Sequence, residues 1–219
     1  MRGLFVTGTG TGVGKTVVAA AIAHTYVDRG QRVGVFKPAV TGLDESEPDH
    51  TILRRAARSR QTDDEIAPYR FTPPVSPHLG AELAGQAIRP PRLEAAARAA
   101  AGSADLLVCE GVGGLLVPLT LGYLVRDLAR DLGLPLVIAT PPGLGAINHT
   151  LLTVEAARAV GLEVAAVVLT PWPAEPSSVE RSNREAIARL GAVPTITLPH
   201  LDHADSDSWP PLDPGLEGR

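Results

Sequence analysis

Nine residues near the start of the chain, Gly8-Thr9-Gly10-Thr11-Gly12-Val13-Gly14-Lys15-Thr16, have the composition of a phosphate-binding loop. Glycines let successive backbone N–H groups turn onto an anion, a lysine adds a full positive charge, and a threonine hydroxyl can ligate Mg²⁺. A helix opening at the end of such a loop adds its positive dipole end. The usual motif places four residues between its first glycine and the glycine before lysine. Counted back from Gly14 that spacing falls short of Gly8, so the loop is read from Gly8 with one residue extra. A second candidate is Lys37, in Lys37-Pro38-Ala39-Val40-Thr41-Gly42 at the end of an apolar run. Of the 20 basic residues 18 are Arg, and the two Lys are Lys15 and Lys37. Lysine is a compact, flexible point charge that the planar fork of Arg does not imitate, so both are candidates for charge chemistry at one site. A third is Glu110, which closes the apolar run Leu106-Leu107-Val108-Cys109 and precedes Gly111-Val112-Gly113-Gly114. In phosphate-loop proteins a strand of this kind presents its acid to the Mg²⁺ beside the loop, and glycines after it permit close approach of backbone to ligand.

The intervening segments must position these groups. Leu4-Phe5-Val6 leads into the loop as a strand. Residues 16–28 carry Val17, Val18, Ala20, Ala21, Ala23 and Val27 at mixed three and four spacing before Gly30, which predicts an amphipathic helix with a glycine stop. A strand at 32–36 delivers Lys37. From Asp44 to Pro77 the chain is irregular and acidic, with a short helix around 51–58; an insertion of this length in a compact chain is expected to face substrate. Short helices follow at Ser76-Pro77-His78 and about 92–101. The spacing of Leu124, Leu128 and Leu132 before Gly133 predicts a helix from Tyr123 to about 131. Strands at 135–139, 163–169 and 193–198 alternate with helices from about 143 to 160 and 177 to 190. This alternation specifies an α/β fold with a mostly parallel sheet and helices on both faces, whose ligands bind beyond the carboxyl ends of the strands. Residues 1–202 read as a single domain, and the Asp- and Pro-rich residues 203–219 as a poorly ordered tail.

With 219 residues, 44% of them hydrophobic, the chain is long enough for one substantial core, and two independent domains would be crowded. Its net charge of −4, with acids and bases interspersed, gives no electrostatic case for nucleic acid or an anionic membrane. There is no charged leader and no apolar run of about 18 residues, so a cytoplasmic protein is expected. Cys109 is the sole cysteine and cannot form an internal disulfide. Repeats, Cys/His metal clusters and a supportable Ser-His-Asp spacing are absent from the sequence. Of the six His, only His78 and His149 lie beside candidate motifs.

Taken in chain order, five segments resemble the dethiobiotin synthetase family. They are the loop at 8–16 with its extra residue, Lys37-Pro38-Ala39-Val40-Thr41-Gly42, Ser76-Pro77-His78, Glu110-Gly111-Val112-Gly113-Gly114 and Gly145-Ala146-Ile147-Asn148-His149. The resemblance covers about residues 4–200 and implies a P-loop nucleoside triphosphate hydrolase fold. It implies a cytoplasmic, homodimeric ligase of biotin biosynthesis that uses Mg²⁺ and ATP to close a cyclic urea on 7,8-diaminononanoate with CO₂. Carried over residue by residue, it gives Lys15 to the β,γ-phosphates, Lys37 to the carbamate and the transferred phosphoryl group, and Thr11 a place beside them. Gly12, Val13, Gly14, Lys15, Thr16 and Val17 form the phosphate cradle, with Thr170 and Pro199 on the nucleotide. Thr16, Asp49 and Glu110 would hold Mg²⁺. Thr41, Pro77 and Gly113 would meet the diamine, and Leu144, Gly145 and Asn148, from the partner subunit or this one, its carboxylate tail.

Two assignments stay open at this stage. Where the family usually has a run of Asn, Ser or Asp before its metal aspartate, this chain has Glu47-Pro48-Asp49-His50, so Glu47 competes with Asp49. Where many members have an Asn-rich segment that reads adenine, it has Thr170-Pro171-Trp172-Pro173, with Trp172 placed either to stack on a base or to pack. Other nucleoside triphosphates are therefore expected to serve beside ATP. The framework also serves partition and site-placement switch ATPases, which act through protein partners. These typically carry a second lysine in the loop, where residues 9–13 here are Thr, Gly, Thr, Gly and Val.

Overall fold

The computed structural model describes the chain apart from residues 45, 46, 103, 203–205 and 217–219. Its centre is a six-stranded parallel sheet. In chain order the strands are β1 (Gly3–Gly8), β2 (Val33–Phe36), β5 (Leu106–Glu110), β8 (Leu136–Thr140), β9 (Val164–Trp172) and β10 (Thr195–Pro199), and their spatial order is β10-β9-β8-β1-β5-β2. Two small pairs lie outside it, parallel β3 (Val40–Thr41) with β4 (Arg70–Phe71) and antiparallel β6 (Pro118–Thr120) with β7 (Tyr123–Leu124). The helices are α1 (Lys15–Asp28), α2 (Asp49–Ala56), α3 (Asp63–Ile66), α4 (Pro77–Leu83), α5 (Pro90–Ala101), α6 (Val125–Leu132), α7 (Ala146–Arg158) and α8 (Ser178–Gly191). Both faces of the sheet are covered, which is why β1, β2, β5 and β8 are buried along their whole length. Side chains alternate across each strand, so Leu4 and Val6 join the α1 and α2 cluster while Phe5 joins the opposite cluster with α5 and α6. No helix among the described residues is long and apolar enough to cross a membrane.

The α/β architecture expected from the alternation is the one observed, and the differences are local. Helix α1 is buried from Val18 to Tyr26 rather than amphipathic, because the sheet covers one side and α2 and the C-terminal segment the other. Residues 123 and 124 form the second arm of a hairpin, and α6 starts at Val125 behind a cap in which the Asp127 carboxylate accepts from Leu124 N–H at 2.8 Å.

The larger correction concerns the tail. Over 206–216 it runs back along α1, with Trp209, Leu212 and Leu216 buried in the main cluster; residues 203–205 and 217–219 lie outside the described part. Asp213 anchors it, accepting from Tyr26 Oη at 2.7 Å and from Arg29 at 2.6 Å, while Leu212 N–H donates to Thr25 Oγ1 at 2.8 Å. Apolar side chains of α1 that the sheet does not reach supply the reason, since covering them removes hydrocarbon from water.

Candidate active site

Sheet register brings the three sequence signals together. Phe36 of β2 pairs with Cys109 of β5, and Val6 of β1 pairs with Glu110 of β5. Lys37, one residue past β2, therefore stands level with Glu110, and the loop that leaves β1 lies on the other side of that glutamate. The loop is compressed against its neighbours at Gly8 and Gly14. A Cβ on Gly8 would fall 2.5 Å from Val13 Cγ2, and one on Gly14, which has φ +89°, would fall 2.6 Å from Thr170 Cγ2. A Cβ on Gly113, with φ +59°, would lie 2.7 Å from Val117 Cγ2 and 3.5 Å from Thr11 Oγ1. Gly14 caps α1 without a side-chain acceptor, so the first-turn N–H groups of that helix are left to a ligand.

Lys37, only 2% exposed, is the hub of the site. Its Nζ lies 2.7 Å from Asp49 Oδ2 and 2.7 Å from Glu110 Oε1, and donates to the Gly111 carbonyl at 3.3 Å. Thr16 Oγ1 lies 2.8 Å from both Asp49 Oδ1 and Glu110 Oε1, although its one proton can serve only one of them. Lys15 Nζ donates to the Gly10 carbonyl at 2.9 Å. Burial pushes the fully enclosed Glu110 carboxyl up against the pull of Lys37. Burial would also raise Asp49, but Lys37, aided by Thr16 and Lys15, holds it below the usual carboxylate range. Burial works against the Lys37 ammonium, and Glu110 and Asp49 outweigh it, so that charge is held above its ordinary value. For Lys15 burial wins over the attraction of Glu110, with Lys37 adding to the lowering.

The oxygens fit a hard divalent cation. Glu110 Oε2 is buried with no hydrogen-bond partner among the described residues, while Oε1 of the same carboxylate meets the Thr16 hydroxyl, which also meets Asp49 Oδ1. Mg²⁺ commonly takes one or two carboxylates and completes its shell with phosphates and waters. The described residues contain no cluster of three or more His, Cys, Asp or Glu that would form an all-protein cage.

These groups line a cleft of about 680 Å³. Of the residues singled out from sequence, Thr11, Gly12, Gly14, Lys15, Thr16 and Val17 form its loop wall; Lys37, Thr41, Asp49, Glu110 and Gly113 form the rest. Glu47 lines it too, with its carboxylate engaged by Arg55. Val13 packs against the core instead. Thr170, 2% exposed, abuts Gly14 from the end of β9, while Pro199 pairs with Trp172 farther along the sheet edge; neither lines the cleft. Trp172 packs partly against the cluster under α7 and α8. Pro77 is buried in the first turn of α4, outside the cleft wall. Leu144 and Asn148 are exposed at the start of α7, and Gly145 caps that helix with φ +92°. They stand apart from the cleft of their own chain, beyond a second groove of about 500 Å³ between the loop and α7; Thr11 borders both. Sequence reading missed Asn183 of α8, whose amide donates to the Pro142 and Gly143 carbonyls at 2.9 Å and fixes the turn before Leu144. An isolated Asn in an otherwise polar helix gave no signal for it.

A parallel sheet that presents a glycine-lysine-threonine loop, a second lysine and a strand-end glutamate at its carboxyl edge defines a P-loop nucleotide-binding protein. A family model described as an AAA domain matches residues 2–206. The ATP-dependent dethiobiotin synthetase BioD of Bacillus velezensis is 36% identical over 211 residues, covering 95% of this chain and 91% of that protein. The protein of the same name from Anaeromyxobacter dehalogenans is 44% identical over 191 residues, covering 87% and 86%, and that of Bacillus subtilis 35% over 198, covering 90% and 86%. The chain belongs to the ATP-dependent dethiobiotin synthetase family.

Proposed function

We propose that this protein forms dethiobiotin in biotin biosynthesis by closing a cyclic urea on 7,8-diaminononanoate with CO₂ and a nucleoside triphosphate. The observation that carries the reading is the joining of Lys37, Asp49, Glu110 and Thr16 in one cleft with the loop lysine. One amine takes up CO₂ and loses a proton to give a carbamate. A carbamate oxygen attacks the γ-phosphorus, the nucleoside diphosphate leaves, and a carbamic-phosphoric anhydride results. The second amine then attacks the anhydride carbonyl, releasing phosphate and closing the ring. Negative charge gathers near the transferred group throughout, so positioning and fixed charge are the chemistry the protein must supply. Lys15 and the α1 N-terminus bind the phosphates; Lys37, with Thr11 beside the two lysines, faces the carbamate and the phosphoryl group; Thr41 orients the diamine. Thr16, Asp49 and Glu110 would hold Mg²⁺, which neutralises phosphate charge when bound. The geometry supports Asp49 over Glu47 as the loop ligand, because Asp49 shares Thr16 and Lys37 with Glu110.

A homodimer accounts for the placement of 144–148. Leu116 and Leu152, 52% and 56% exposed, line the second groove, and Leu144 just before α7 is fully exposed, a surface suited to a second copy that would bring its Leu144, Gly145 and Asn148 to the carboxylate tail. Base recognition is read as loose, since Thr170, Pro171 and Trp172 offer no side-chain amide at the end of β9.

The deciding measurement is ADP release and dethiobiotin formation with Mg²⁺, bicarbonate and diaminononanoate. Stoichiometric release of both is expected; hydrolysis indifferent to the diamine, with no cyclic urea, would overturn the reading. In a nucleotide panel other triphosphates are expected to support turnover, and a strict ATP requirement would refute the loose base site.

A further inference from the structure

Glu47 poses an electrostatic problem in this cleft. It lies on the loop before α2 and lines the same wall as Lys15, Thr16 and Asp49, where a carboxylate opposes a bound polyphosphate and competes for a divalent cation. Asp49, two residues later, turns one oxygen to Thr16 and the other to Lys37. Glu47 turns both of its oxygens to Arg55, in the last turn of α2. Arg55 Nη1 meets Oε1 at 2.6 Å and Nη2 meets Oε2 at 3.0 Å, a two-pronged fork that leaves the carboxylate charge matched and its direction fixed. Arg55 is not part of the cleft wall.

We propose that Arg55 is a positioning residue that masks Glu47, keeping its carboxylate off the divalent cation and its charge off the triphosphate. The inference rests on the reading of the cleft as a Mg²⁺-nucleotide site and adds a determinant of how tightly each is held. Both side chains are partly exposed, at 45% for Arg55 and 39% for Glu47, so the pair contributes little to fold stability and its removal should leave the protein folded. With Arg55→Gln the fork that aims the Glu47 carboxylate away from the cleft is lost, and that carboxylate can turn toward Asp49 and Glu110. The nucleotide-free protein then attracts cations more strongly and polyphosphate less strongly. Removing the Glu47 charge as well cancels both effects, and this reciprocity separates masking from any direct role of Arg55.

The test uses the full-length protein as wild type, Glu47→Gln, Arg55→Gln and the double variant. Mn²⁺ binding without nucleotide is read by electron paramagnetic resonance, and binding of a non-hydrolysable ATP analogue with Mg²⁺ by calorimetry. In Arg55→Gln, Mn²⁺ is expected to bind about tenfold tighter and the analogue about tenfold weaker, the scale of one partly screened unit charge. The double variant should return to within about twofold of Glu47→Gln, itself close to wild type. The proposal is overturned by an Arg55→Gln protein that matches wild type, by a double variant as impaired as Arg55→Gln, or by a Glu47→Gln protein that loses Mn²⁺. If thermal unfolding shows Arg55→Gln unfolded, Arg55→Lys, which keeps the charge without the fork, carries the test with an expected shift of about threefold and equality with wild type as the overturning result. A wild-type protein that binds neither Mn²⁺ nor the analogue would instead sink the underlying reading of the cleft.

Discussion

Lys37→Gln removes the cation that two carboxylates share. At 2.7 Å each of the contacts to Asp49 and Glu110 represents about 6 kcal/mol of gross attraction at an effective dielectric constant of about 20. Desolvation of the three groups offsets most of that. Removing one partner of a buried pair nevertheless costs about 3–5 kcal/mol, because the remaining charge is left uncompensated. Glu110, which burial already pushes up, limits the loss by taking up a proton. The folded variant then binds a proton that the unfolded chain releases, so its deficit must grow as pH rises above the ordinary carboxylate range. Urea unfolding should show Lys37→Gln about 3 kcal/mol less stable than wild type at pH 8, and the gap should narrow toward pH 5. Dethiobiotin formation should fall by about a hundredfold or more, the scale of a lost fixed donor in charge stabilisation, while binding of an ATP analogue changes by less than about tenfold. A deficit below about 1 kcal/mol that does not vary with pH would refute the burial reasoning. Equal losses in nucleotide binding and ring closure would refute the assignment of Lys37 to the carbamate.

Two further outcomes follow from the geometry. Gly14→Ala places a methyl 2.6 Å from Thr170 Cγ2 at a φ of +89°, so nucleotide affinity should drop by about tenfold or more, and adding Thr170→Ser, which deletes that methyl, should recover part of the loss in a calorimetric titration. No recovery would mean that backbone strain alone governs the position. The Tyr26 hydroxyl, Arg29 and two backbone N–H groups hold Asp213, although burial opposes them, at about 2, well below its ordinary 3.8. Its contribution is therefore present above pH 4 and lost as pH falls toward 2. Asp213→Asn should destabilise by about 2 kcal/mol at neutral pH and by almost nothing near pH 2; a difference that is constant with pH would show that the carboxylate charge is not what anchors the C-terminal segment.

Much of the site could be read from residue order alone. A phosphate loop is a local object: its glycines, Lys15 and Thr16 follow one another in the chain, and strand-helix alternation already places them at a carboxyl edge. Lys37 and Glu110 were legible for the same reason, each closing an apolar run. Their contact was not, because it depends on β5 lying between β1 and β2 and on the pairing of Phe36 with Cys109, which no local spacing encodes.

The choice between Glu47 and Asp49 shows the division most clearly. The two acids are two residues apart and chemically alike, and only the start of α2 at Asp49 and the position of Arg55 in its last turn send one to Lys37 and the other away. The tail was misread because Trp209, Leu212 and Leu216 sit among Asp and Pro, where pattern predicts no element; they are ordered by the uncovered side of α1. Chain order thus determined which groups could meet a phosphate. Tertiary structure decided which of them meet one another, since burial and counter-charge belong to the assembled sheet and its helices rather than to any segment.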